Sequence, residues 1–111
     1  MWHLLENYET DAEVKRIVDN TELYFIPIVN PDGYEYNRQT NPEGGGYWRK
    51  NRRNNGDGSY GVDVNRNYGY QWGIDDEGSS PYPSEDTYRG SSPFSEPETK
   101  NLRDFCNSHQ F

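Results

Sequence analysis

The chain has 111 residues, is 30% apolar with ten Tyr, three Trp and four Phe, and carries a formal charge of −8. That length allows at most one small domain, and so low an apolar share allows only a thin core whose bulk must come from aromatics, Tyr above all. Nineteen acidic residues against eleven basic ones argue against general affinity for nucleic acid or anionic membrane, and no run approaches the roughly 18–20 apolar residues of a membrane span.

Trp2, Leu5 and Tyr8 recur at helical spacing and predict the end of a helix over 1–9. Met1 leads directly into that amphipathic pattern, so no signal peptide is expected. Asp11 is placed to cap a second short helix with Val14, Ile17 and Val18 inward, ending at Asn20-Thr21. The run from Leu23 to Val29 reads as a mostly continuous apolar strand, suited to a sheet covered on both faces, although Pro27 removes one ladder donor. Asn30-Pro31-Asp32-Gly33 predicts a turn, with a brief extended course over 34–36. Residues 37–60 form a long polar loop containing Gly44-Gly45-Gly46; such a loop in a compact domain is functional or disordered. Gly61 to Val64 predicts a short strand that delivers Asn65 and Arg66 at its end, and 68–94 reads as irregular. Ser95-Glu96-Pro97-Glu98 matches a capping box and predicts a helix over about 96–108, with Leu102, Phe105 and Cys106 on its buried face. A single Cys excludes an intrachain disulfide, and its place on that stripe predicts a buried, inert thiol.

Three groups of residues could carry chemistry. In Asn65-Arg66-Asn67 an Arg stands between two amides; a guanidinium fork beside an amide donor suits a carboxylate. Spacing alone favours an Arg in a polar surface turn. Arg49, Lys50, Arg52 and Arg53 concentrate basic charge in one loop. An Arg near a scissile carbonyl could stabilise an oxyanion; a solvated basic loop is the ordinary reading of the other three. Tyr47 and Trp48 beside this cluster could stack nucleic-acid bases, but the acidic remainder of the chain weighs against that. Asp75-Asp76-Glu77, with Glu85 and Asp86, could supply calcium ligands or simply form a solvated loop, the expected case.

Asn30-Pro31-Asp32-Gly33, Trp48-Arg49-Lys50, the stretch Gly61-Val62-Asp63-Val64-Asn65-Arg66-Asn67, and Thr87-Tyr88-Arg89-Gly90 occur in this order. As a set they resemble the zinc carboxypeptidases, most closely the bacterial carboxypeptidase T type. The resemblance runs from about Leu4 to Asn107. It implies an α/β parent fold, a mixed sheet flanked by helices with long irregular loops, of which residues 1–111 are an internal part of the catalytic domain. It assigns Asn65 and Arg66 to the terminal carboxylate of a peptide substrate and Arg49 to the oxyanion, and leaves Asn67 to shape the loop.

The implied metal is zinc, which catalytic sites hold with three protein ligands and an open position. His3-Leu4-Leu5-Glu6 fits a His-x-x-Glu spacing, but the surrounding residues resemble the family's helix after the ligand loop, so no metal ligand is assigned in this chain. His109 is expected to be solvated or to cap a helix. The zinc ligands and the general base are expected outside residues 1–111, the isolated chain is expected to be inactive, without zinc and prone to self-association, and the parent is expected to be extracellular. The competing reading, a binding module without hydrolysis, keeps the same three residues.

Overall fold

The computed structural model describes residues 1–110, and they build four α-helices joined by long loops. Helix α1 is Trp2–Asn7 and α2 is Ala12–Asn20. Asp11 caps α2 as its residue type predicts, accepting from the N–H groups of Glu13 and Val14. Of its three inward candidates only Val14 is buried; Ile17 is half-buried and Val18 exposed.

Helix α3, Pro31–Thr40, corrects two expectations. The Asn-Pro-Asp-Gly stretch is a helix start and not a turn, and 34–36 are helical and not extended. Asn30 is the N-cap, its Oδ1 accepting from Gly33 N at 2.9 Å, and Pro31 fills the first helical position, where a missing N–H costs nothing.

No strand or sheet forms among the described residues. This corrects the expected strands at Leu23–Val29 and Gly61–Val64. Residues 22–29 are all exposed and take no helix or ladder. A strand exists only through its partner's hydrogen bonds, and no other described segment pairs with this one in a ladder. Val62 is held on one side by Asn51 and Asp63 N bonds Tyr88 O at 2.8 Å, contacts too isolated to make a ladder. The chain then turns into one turn of 3-10 helix, Val64–Arg66.

Helix α4, Pro97–Ser108, has Glu96 as its N-cap residue, one position later than the predicted Ser95, and Glu96 makes no side-chain cap. Glu98, the far member of the expected capping box, instead faces Asn51 Nδ2 at 3.4 Å. The expected buried face is also corrected: Leu102 and Phe105 are half-buried, Cys106 is exposed, and Thr99 is the buried residue. His109 lies against the end of the helix, its Nδ1 2.8 Å from Phe105 O.

The centre of the molecule is polar, not the Tyr-rich core that composition suggested. No Tyr is buried. Val14, Val62 and Val64 are the buried apolar side chains, against Lys50, Asn51, Asp63, Asn67, Glu96 and Thr99 among polar ones. Such groups can be buried only when hydrogen-bonded, and here they bond one another across the loops.

Candidate carboxylate-binding site

The basic segment 49–53 is not the solvated cluster expected, because three of its four cations serve the fold. Lys50 is 4% exposed and donates from Nζ to Pro83 O and Glu85 O at 2.9 and 3.0 Å. Burial pulls its pKa below the ordinary lysine value, opposed by Asp86 and other nearby carboxylates. Arg52 stacks its guanidinium 3.9 Å from the centre of Tyr36, 4.5 Å from Trp48 and 4.8 Å from Tyr60. Arg53 donates to Glu96 Oε1 at 2.6 Å.

Arg49 differs: its side chain is exposed and makes no hydrogen bond or ion pair among the described residues. Its backbone is well anchored. Asn37, on α3, mimics a paired strand for Trp48, donating to its carbonyl at 2.8 Å and accepting from its N–H at 3.0 Å. The N-cap Asn30 donates to Arg49 O at 3.3 Å. The α3 helix thus fixes the backbone of Arg49 and leaves the guanidinium open.

The motif 63–67 divides in the same way. Asp63 is 3% exposed and accepts Asn65 N at 3.0 Å, which closes the 3-10 turn. Asn67 is fully buried. Its amide donates to Arg89 O, Ser92 O and Ser95 Oγ, and its Oδ1 accepts from Glu96 N and Thr99 Oγ1. Asn65, two positions earlier, is exposed, and its amide has no partner among the described residues. Arg66 lies between: its Nε is buried, makes no hydrogen bond, and reaches only to 4.0 Å from Asp63 Oδ2. An unpaired buried donor is costly; one beside a free amide is a place where an acceptor is missing.

Two adjoining cavities collect these groups. One, of about 300 Å³, is lined by Arg49, Asn65, Asp63, Asn30, Val29, Val64 and Tyr68. The next, of about 450 Å³, is lined by Asn65, Arg66, Tyr68, Trp72 and the loop around Gly73. Asn65 and Tyr68 belong to both, so the two cavities share a wall, with Arg49 on one and Arg66 on the other. A larger cavity, about 560 Å³, lies elsewhere, between 26–31 and α4. It offers chiefly Ile26, Ile28, Leu102 and Phe105, with no basic group to meet an anion.

Residues that spacing did not single out hold the site in place: Asn37, Asn51, Glu96 and Arg89. Arg89 donates to Asp76 Oδ1 at 2.7 Å and to Asp75 O and Ser79 Oγ. Asp75 itself accepts from the N–H groups of Glu77 and Gly78. The acidic loop thus uses its first two carboxylates on its own turn and on Arg89. Nothing in the local sequence marks Asn51 or Glu96, since each bonds across more than forty positions.

No three His, Cys, Asp or Glu side chains converge on a metal site among the described residues. His3 Nδ1 lies 3.1 Å from Asn7 Nδ2, and the same amide donates to His3 O. These residues do not fit a catalytic zinc. No helix among them is long and apolar enough to cross a membrane.

Cationic and amide groups thus line both cavities. The family model for zinc carboxypeptidase matches residues 1–111, and the chain belongs to the zinc carboxypeptidase family. It is 45% identical to metallocarboxypeptidase A of Trichophyton tonsurans over 93 residues, 83% of this chain and 21% of that protein. It is 36% identical to carboxypeptidase A2 of Rattus norvegicus over 107 residues, 96% of this chain and 24% of the rat protein. Among solved structures, thrombin activatable fibrinolysis inhibitor matches with a TM-score of 0.77 and 30% identity, over 95% of this chain and 27% of that one. Carboxypeptidase A from Helicoverpa armigera matches at 0.63 and 37%, over 96% and 26%. These neighbours support the family but lend no support to a particular closeness to the bacterial T type.

Proposed function

We propose that this chain is the substrate-gripping part of a zinc-dependent carboxypeptidase that removes the C-terminal residue of peptides. The observation that supports it best is the buried Nε of Arg66, which makes no hydrogen bond, next along the chain to the free amide of Asn65, with Arg49 on the adjoining cavity. In this reading Asn65 and Arg66 hold the terminal carboxylate of the peptide. Charge-assisted hydrogen bonds of this kind are the strong ones, and a fork-shaped donor fixes direction as well as distance. Holding the carboxylate sets the last peptide bond at a fixed offset, which gives exopeptidase selectivity through positioning. Arg49, across the first cavity, then faces the carbonyl of that bond and stabilises the oxyanion that develops on it.

Zinc belongs to the complete protein, and its ligands and the general base come from residues outside 1–111, the chain being an internal segment of a longer catalytic domain. The α/β sheet of that domain includes residues 23–29 as one of its strands. The extracellular setting of the parent is part of the same proposal.

The test compares peptides with a free and an amidated C-terminus on the complete protein. Free peptides should be trimmed and amidated ones spared. Arg66→Ala should chiefly raise KM, while Arg49→Ala should lower kcat by about 10²–10³, the usual effect of removing one oxyanion donor. Equal cleavage of both peptides would refute the carboxylate reading; tight binding of the free peptide without cleavage would favour a binding module instead.

A further inference from the structure

We propose that Glu96 is a positioning residue for this site: its buried carboxylate holds the segment carrying Arg49, and through Asn51 that hold extends to the segment carrying Asn65-Arg66. The inference rests on the carboxylate-binding reading given above. Glu96 is 1% exposed and lines none of the cavities of the site, so it touches no substrate. Its Oε2 accepts from Asn51 Nδ2 at 2.8 Å, and its Oε1 accepts from Arg53 at 2.6 Å and from Ser95 Oγ at 2.7 Å. Both loop partners lie within four positions of Arg49.

Asn51 extends the clasp. Its Oδ1 accepts from Val62 N at 2.9 Å and its own N–H donates to Val62 O at 3.0 Å, so the Glu96 carboxylate also secures the approach to Asp63 and Asn65. The backbone of Glu96 adds the last link, its N–H donating to Asn67 Oδ1 at 3.2 Å, immediately after Arg66. An ionised carboxylate is the one common side chain that accepts on both oxygens and donates on neither. A glutamine keeps the volume but turns one oxygen into a donor that faces either Arg53 and Ser95 or Asn51. Either Asn51 or Arg53 then loses its acceptor, and the hold on the segment carrying Arg49, which Asn51 passes on to Val62, is loosened.

The test is a double-mutant cycle on the complete, zinc-loaded protein. The probe is 3-phenylpropanoate, with 3-phenylpropanamide as the uncharged control, and calorimetry is run below the melting temperature of every variant. Glu96→Gln should weaken the carboxylate by about tenfold and leave the amide unchanged. In an Arg66→Ala background the same substitution should have no further effect, since a misplaced grip and an absent grip lose the same contact. Arg53→Met, at a more exposed position, provides the same cycle with a smaller expected loss of about threefold if Glu96→Gln does not fold. Weakening by Arg66→Ala, with Glu96→Gln (or Arg53→Met in its place) either silent or equally damaging in both backgrounds, would overturn the positioning role alone. An Arg66→Ala variant that binds as tightly as the parent would sink the carboxylate reading, and this inference with it.

Discussion

Replacing Asn67 by Ala removes five hydrogen bonds from the centre of the molecule, and not all of them count equally. Thr99 Oγ1 has a second acceptor in Glu96 O at 3.0 Å, and Ser95 Oγ still donates to Glu96 Oε1, so both recover. Arg89 O keeps the indole N–H of Trp72 at 3.1 Å. Glu96 N has no such alternative: it belongs to a residue 1% exposed, and Asn67 Oδ1 is the partner the structure gives it. One orphaned buried donor costs about 1–3 kcal/mol, and the remaining bonds and the emptied volume add about 1 kcal/mol more, so a loss of about 2–4 kcal/mol is expected. Asn65→Ala, two positions away, removes an exposed amide with no partner and should cost under about 0.5 kcal/mol. Urea unfolding followed by tryptophan fluorescence measures both, and Trp72, sharing the carbonyl of Arg89 with Asn67, reports from the affected region. A cost below about 1 kcal/mol for Asn67→Ala, or equal costs for the two asparagines, would refute the division of the motif into one structural amide and one free one.

Gly61 has φ +84°, and a Cβ there would run into Asn51 O and come within 2.6 Å of Lys50 Cβ; Gly61→Ala should destabilise by at least about 1–3 kcal/mol, read as a fall in the urea midpoint. The hydrogen bonds of Asn51, Ser95 and Arg53 overcome the opposing push of burial and hold the Glu96 carboxyl below the ordinary glutamate value. A depressed carboxyl stabilises the fold above the unfolded value and loses that contribution as pH falls through the folded one. The melting temperature should therefore drop as pH falls below the ordinary glutamate value in the parent and more weakly in Glu96→Gln; identical slopes would contradict the assignment. Asp11→Ala removes both N-cap acceptances on α2 and should cost about 1 kcal/mol, with a matching loss of helical circular dichroism at 222 nm.

Local chemistry was legible where a residue acts on its neighbours. Asp11 announced a helix start because a cap bonds two or three positions ahead, and α4 was visible within a residue or two of its real bounds. The same logic applied to Asn30-Pro31 would have found α3, since Pro in the first turn after an Asn is a helix start as much as a turn. The apolar run 23–29 has strand composition, but pairing depends on a partner that composition cannot supply. The capping-box spacing points to Ser95 as the cap, whereas its hydroxyl is engaged with Asn67 and Glu96. Arg49, Asn65 and Arg66 were picked out through the ordered motifs; their common setting depends on Asn37, Asn51, Asn67 and Glu96, whose bonds span distances along the chain that no local pattern encodes.

The segment 22–29 also bears on fibril formation. Leu23, Tyr24, Phe25 and Ile26 are each 40% exposed or more, four bulky residues in a row outside any helix or ladder. Steric zippers need about six or seven such positions uninterrupted by Pro. Pro27 divides the run into Leu23–Ile26 and Ile28–Val29, and it withholds the N–H that the next copy in a stack would require. The same residue that weakens this segment as a strand also limits the length over which one copy can template another.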